Sequence, residues 1–330
     1  MDYSGANEYI QSHYNQSNYF PADQSNENIY NGRNLLIQYT HKNKNVCSSN
    51  EVEMLNDHGL ALIPSPSNHS NWNDLQEISQ NHLPELERIV SNLFPNKIMH
   101  CFWNPMVRGN EYNICRDEDK STSTPTANIA SLVHIDTDVG AYESLDDFLS
   151  LIENNQICCH GSQKSAPSFD KSAFMNAIGQ ENKRFAIVNF WRNTSDDPVE
   201  CYPLAILSTR YDTSHTTMAI SFPDAMPDMN KSYWYLFPQV TKDEVIVFYQ
   251  YDRLMTQQSD LWHCAISIDE GNAVDSNRTT RRESFDIRML IVLDEQVPPE
   301  LDRFRSNRKR PILSLEESGC FCDEQAEKRL

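Results

Sequence analysis

The chain is 330 residues long, 39% hydrophobic, and carries a formal net charge of −19 at neutral pH. That length and apolar content suffice for one large β-rich domain or two small ones. The charge excludes nucleic acid and anionic membrane surfaces as partners, because either would be repelled before specific contact formed; an anionic small molecule remains compatible where arginines reverse the field inside a pocket.

The first 32 residues are rich in Asn, Ser, Tyr and Gln and contain no Lys, Arg or apolar run. They lack the marks of a secretory signal and cannot bury enough surface to offset ordering entropy, so a disordered polar tail is expected over 1–32. No stretch reaches the roughly 20 apolar residues of a membrane helix. The nine cysteines are odd in number and irregularly spaced, which fits reduced thiols and a cytoplasmic location better than a disulfide framework.

A short β-like run at 34–39 opens a single expected domain over 33–304. Between 71 and 94 the apolar positions Leu75, Ile78, Leu83, Leu86, Ile89, Val90 and Leu93 recur at three- and four-residue steps, which predicts a helix with a break allowed near Pro84. Residues 117–126 are charged, then Ser/Thr-rich, and read as a loop. From 130 onward the pattern changes to apolar or alternating runs at 132–135, 185–191, 204–209, 217–221, 232–237, 244–251, 261–268 and 285–293. These predict a closed or sandwiched antiparallel β fold with helices packed outside it, a mainly β architecture of the α+β class. Helices are expected at 146–152 and 168–178, and a solvated tail over 305–330. Neither a glycine-rich phosphate loop nor a GxSxG elbow is present.

The chemistry-bearing pattern starts at Val133-His134-Ile135-Asp136. On a strand, alternate side chains share a face, so one metal ion could reach both His134 and Asp136. His263, far downstream in an apolar run, supplies a third ligand if the sheet folds back. Two imidazoles and a carboxylate leave coordination positions open, an arrangement suited to iron(II) that must bind a bidentate cosubstrate and dioxygen together. Arg282-Glu283-Ser284 follows 19 residues after His263. Arg282 and Ser284 form a candidate clamp for the distal carboxylate of 2-oxoglutarate, and Arg288, on the same predicted face, is the competing choice. Arg108, Arg192, Trp191 and Tyr235 are candidate substrate-binding residues, with paired-surface or core roles as the competing readings. Cys158-Cys159-His160 and Cys320-Phe321-Cys322 lack a second pair at zinc spacing, and His215 falls in a predicted turn.

The chain resembles the oxygenase-like family that includes gibberellin desaturase, cephalosporin-methoxylation-type and aspergillic-acid-type hydroxylase proteins. The resemblance runs from about Asn34 to Phe304 and rests on the His134/Asp136 pair, the distal His263 and several further stretches. These are Asn189-Phe190-Trp191-Arg192, Pro203-Leu204-Ala205-Ile206, Tyr233-Trp234-Tyr235-Leu236-Phe237-Pro238, Asp243-Glu244-Val245-Ile246-Val247-Phe248, Tyr251-Asp252, and Arg282 through Arg288. It implies a double-stranded β-helix (jelly-roll, cupin-like) core, bound Fe(II), 2-oxoglutarate as cosubstrate with O2, and oxidation of a small secondary metabolite by hydroxylation, desaturation or oxidative cyclisation. A non-catalytic jelly-roll binding protein and a 2-oxoglutarate-independent oxygenase or isomerase are the competing functions. The sequence departs from the family pattern at Asn193 (usually Pro), at Lys231-Ser232 (usually a His) and at Arg253 (usually Ser), positions expected to flank the pocket.

Overall fold

The structure is a computed structural model, and it describes residues 29–33, 50–109, 124, 126–130, 134–137, 139, 142–155, 169–200, 202–208, 233–254, 261–266 and 282–302. The described chain runs β1 (Ile29–Asn31), α1 (Asn50–His58), β2 (Leu60–Pro64), α2 (Leu75–Glu77), α3 (Leu83–Leu93), β3 (Lys97–Gly109) and β4 (Thr126–Asn128). It continues with α4 (Leu145–Asn155), α5 (Lys171–Met175), β5 (Lys183–Asn193), β6 (Leu204–Ser208), β7 (Tyr233–Leu236), β8 (Glu244–Asp252), β9 (His263–Ala265) and β10 (Glu283–Gln296). Six strands form one sheet in the order β2-β8-β5-β10-β3-β4, and four form a second in the order β1-β7-β6-β9.

Of two apolar clusters among the described residues, the larger joins the sheets. Leu204, Ile206 and Tyr235 of the smaller sheet cluster with Val188, Trp191, Phe248 and Met289 of the larger one, giving the two-layered jelly roll expected of alternating strands that each bury a face. The long central strands β5, β8 and β10 are buried along nearly their whole length, because helices cover the side that faces away from the smaller sheet. Trp72 and His82 pack their rings on Phe285 at 5.2 and 5.3 Å. At the other end α4 and α5 bury Phe148, Ile152 and Phe174 against Phe185, Tyr251 and Leu290.

The helical spacing over 71–94 resolves into α2, a π-turn at Ile78–His82 and α3, without a gap. Asp74 caps its start, its carboxylate accepting from the backbone N–H groups of Gln76 and Glu77, which satisfies donors that the first turn leaves open. The break anticipated near Pro84 is this π-turn, where the Leu83 N–H bonds the Ile78 carbonyl, while Pro84 itself sits in the first turn of α3, where its missing N–H costs little.

Three expectations change. The pair His134/Asp136 does not lie along an extended strand: His134 makes one isolated antiparallel bridge to His263, and the chain bends at Asp136. The stretch β3 was not anticipated as a strand, because Asn104 at φ 51° and Pro105 interrupt the pattern. They form a bulge, and the register to β10 slips between Asp286 and Arg288. The expected polar tail also ends earlier than residue 32, since Ile29–Asn31 pair in parallel with β7; edge pairing uses backbone groups that composition does not report. Arg33 then anchors this segment, its guanidinium on the Glu244 carboxylate at 2.6 Å and the Pro238 carbonyl at 2.8 Å. The β-like runs at 34–39 and 217–221, the basic tail, His215 and both cysteine motifs lie outside the described residues. Among the described residues, no helix is long and apolar enough to cross a membrane.

Candidate metal centre

The bridge between His134 and His263 builds the site. Each residue donates its backbone N–H to the other's carbonyl, at 3.0 and 2.9 Å, which sets the two imidazoles side by side with centroids 4.4 Å apart. The bend after Ile135 then turns Asp136 back beneath them. His134 Nε2 lies 3.5 Å from Asp136 Oδ1 and His263 Nε2 3.3 Å from Asp136 Oδ2, and one potential ligand atom from each of the three falls within 4.8 Å of the others. A nitrogen–nitrogen–oxygen set this tight suits a first-row divalent metal.

The surroundings prepare these groups for a cation. The Nδ1–H of His263 donates to the Leu261 carbonyl at 3.3 Å, leaving Nε2 as the lone-pair atom turned toward Asp136. Burial depresses the pKa of His263, so the ring is neutral and able to ligate. Phe248 meets it edge-on at 4.9 Å. Asp136 is buried, which opposes ionisation, but the Arg288 guanidinium is the largest of the opposing influences, and the carboxyl is held well below the usual range. Arg288 approaches Oδ1 at 2.7 Å, Asn189 Nδ2 donates to Oδ2 at 2.9 Å, and the Asp136 backbone N–H donates to Gln250 Oε1 at 2.9 Å.

A small pocket containing the triad is also lined by Arg108, Trp191, Leu204, Phe248, Arg282 and Asp286, among others. Arg282 is 3% exposed. Its guanidinium lies 5.0 Å over the Trp191 ring, bonds the Tyr202 carbonyl and reaches Ser284 Oγ at 3.5 Å. Among the described residues no carboxylate pairs with it, and its Nε has no partner. Burial, then the charge of Arg108, lowers its pKa to about 9, the mark of a buried cation short of counter-charge. Arg108 is better matched, its Nε donating to Asp286 Oδ2 at 2.7 Å, while Asp286 Oδ1 is left without a partner. Burial pushes the Cys264 thiol up to about 12, so it lines the pocket as a neutral group.

Of the other sequence candidates, the structure brings Arg108, Trp191 and Ser284 to this side of the sheet and sends Arg192 and Tyr235 elsewhere. Side chains alternate, so Asn189 and Trp191 of β5 face the triad while Arg192 turns to the helical layer. There it donates to the Ser65 and Lys242 carbonyls at 2.8 and 2.6 Å and approaches Glu85 at 3.5 Å. The Tyr235 hydroxyl meets His58 Nδ1 at 3.1 Å, beneath α1. Arg288 touches Asp136, where sequence reasoning had offered it as a cosubstrate clamp. Asn189, Gln250 and Asp286 were not singled out, although stepping by two from Trp191 or Arg288 reaches Asn189 and Asp286. Two departures from the family pattern are structural: Asn193 donates to the Asp197 and Val240 carbonyls, and Arg253 is closed by Asp302 at 2.8 Å.

Several solved structures are similar to this chain. The iron and alpha-ketoglutarate-dependent endoperoxidase NvfI shares 18% identity over 72% of this chain and 80% of its own, with a TM-score of 0.48. The non-heme alpha-ketoglutarate-dependent epimerase SnoN from nogalamycin biosynthesis shares 10% identity over 72% and 81%, at a TM-score of 0.36. The carbocyclase SnoK from the same biosynthesis shares 12% over 75% and 85%, at 0.33. No curated protein sequence matches the chain. The family model described as "YDMC: Oxidoreductase/YMDC permease-like domain" matches residues 7–292, and the chain therefore belongs to that oxidoreductase-like family.

Proposed function

We propose that this chain is a non-haem Fe(II), 2-oxoglutarate-dependent dioxygenase that oxidises an unactivated C–H bond of a small secondary metabolite, by hydroxylation, desaturation or oxidative cyclisation. One observation carries the reading: two imidazoles and an ionised carboxylate converge within 4.8 Å beside a buried arginine that lacks a carboxylate partner among the described residues. The donor set fits iron(II), and the unpartnered Nε of Arg282 fits an incoming carboxylate. Bound iron, with 2-oxoglutarate and O2, would supply the oxidising power, with succinate and CO2 as coproducts.

The chain's own residues have separable tasks. His134, Asp136 and His263 hold the metal. Arg282 receives the distal carboxylate of 2-oxoglutarate in a charge-assisted pair, with Ser284 beside it and the Trp191 face supporting the guanidinium. Leu204, Phe248 and Ala265 in the pocket wall exclude water, which limits side reactions with solvent while a C–H bond is held there. Arg108 with Asp286 offers a paired cation to a polar or anionic substrate group. This work falls to one domain over 33–304 with β1 (Ile29–Asn31) added at the edge of its smaller sheet; the free thiols of Cys101 and Cys264 accord with a reducing, cytoplasmic setting.

The test is anaerobic titration of the metal-free protein with iron(II) and then 2-oxoglutarate, following the visible metal-to-ligand absorption band. The band is expected in the wild type and absent in Asp136→Ala; its absence in the wild type rejects the cosubstrate assignment. Succinate release in air separates an enzyme from a binding protein on the same fold.

A further inference from the structure

Asp136 is the only carboxylate of the triad, and an arginine already holds one of its oxygens. Arg288 reaches Oδ1 at 2.7 Å, lies 5.5 Å over the Trp103 ring, and leaves its Nε without a partner. Asn189 separately fixes Oδ2 at 2.9 Å, and Gln250 fixes the backbone at 2.9 Å. The carboxylate is therefore held at Oδ2 by Asn189, and its backbone by Gln250, without Arg288, and what Arg288 adds is chiefly charge. Among the described residues of this site, three guanidinium cations (Arg108, Arg282, Arg288) face two carboxylates (Asp136, Asp286), an excess of one positive charge. A divalent metal raises that excess to three in a buried setting; a dicarboxylate returns it to one.

Building on the oxygenase reading, we propose that Arg288 is a positioning residue whose ion pair with Asp136 opposes metal capture until a dicarboxylate enters, so that metal and cosubstrate bind cooperatively. Linkage makes the coupling mutual: the anion tightens the metal by the same factor as the metal tightens the anion. An ordinary orienting partner has the opposite signature, since its loss weakens metal affinity about 10- to 100-fold.

The experiment titrates Mn(II), which is redox-inert here, into the metal-free protein and reads free Mn(II) by electron paramagnetic resonance, with and without saturating glutarate, a dicarboxylate lacking the chelating keto group. Glutarate is expected to tighten Mn(II) about tenfold in the wild type. Arg288→Gln is expected to bind Mn(II) about tenfold more tightly than wild type without glutarate and to lose most of the glutarate gain. Asn189→Ala, which removes orientation and no charge, moves the other way, and Arg288→Lys, which keeps the charge, stays within about threefold of wild type. Equal or weaker Mn(II) binding by Arg288→Gln overturns the proposal while leaving the oxygenase reading intact. No glutarate effect in the wild type overturns it without recourse to any variant. Failure of the wild type to bind Mn(II) under either condition removes the oxygenase reading and this inference with it.

Discussion

Arg192 on β5 and Arg282 immediately before the start of the neighbouring β10 are both buried arginines, yet their surroundings differ in kind. Arg192 lies on the helical side and ends on two carbonyls, the Ser65 hydroxyl and the edge of Glu85. Arg282 lies on the pocket side, stacks on Trp191 and, among the described residues, meets no carboxylate. Burial lowers both, to about 10 for Arg192 and about 9 for Arg282. The comparison teaches that burial of a charge is not itself a functional sign. A cation whose terminal nitrogens end on fixed acceptors and a glutamate holds helix to sheet, and a cation left short of counter-charge beside a ligand triad is ready for an anion.

Removing the triad should have the largest effect. Asp136→Ala or His263→Ala is expected to lower succinate formation at least about a thousandfold and to abolish stoichiometric metal uptake; retained turnover would break the assignment. Next, Arg282→Gln should raise the 2-oxoglutarate KM about a hundredfold, the loss of roughly 3 kcal/mol from a buried charge pair, with a smaller change in kcat. Arg192→Met should do the reverse, leaving that KM unchanged and costing about 3 kcal/mol in a urea melt. A shift in KM for Arg192→Met would erase the distinction between the two faces.

The helical side also carries a pH signature. His82 is buried between Trp72 and Phe285, with Glu85 at 3.2 Å and with Arg192 and His69 nearby, and burial drives its pKa down to about 4. In the unfolded chain the ring protonates near 6.5, so the unfolded state gains protons first as pH falls. His82 therefore contributes stability that is present above about pH 6.5 and lost by about pH 4, up to roughly 3 kcal/mol over that window. Glu85, whose pKa is lowered in the fold, loses its contribution only at more acid pH. His82→Gln should flatten the urea-midpoint profile between pH 6.5 and 4; an unchanged slope would assign the dependence to another group. The smallest effect is expected at Gly32, where a Cβ would run into the Phe237 ring. Gly32→Ala should cost about 1–2 kcal/mol and leave metal binding untouched.

Much of this was legible beforehand. Apolar runs at 185–191, 244–251 and 285–293 marked the three central strands, because a strand buried on both faces must be apolar almost throughout. The three- and four-residue spacing of Leu83, Leu86, Val90 and Leu93 marked the helix that covers them. The order of His134, Asp136 and His263 marked three side chains whose potential ligand atoms the fold brings within 4.8 Å of one another. What failed was local where irregular backbone hides the pattern: the bulge at Asn104 and Pro105 concealed β3, and the single bridge at His134 looked like a strand from sequence.

Residue type and spacing thus determined which side chains are able to bind a metal and an anion, since donor chemistry is a property of the residue itself. Only the tertiary structure decided where each arginine acts. Arg192 went to the helices, Arg282 to an unpaired place in the pocket and Arg288 to the Asp136 carboxylate, and no one-dimensional pattern encodes that choice. It depends on strand register and on the partners that distant segments bring: β10 lies between β3 and β5, and His263 is bridged to a residue more than a hundred positions earlier.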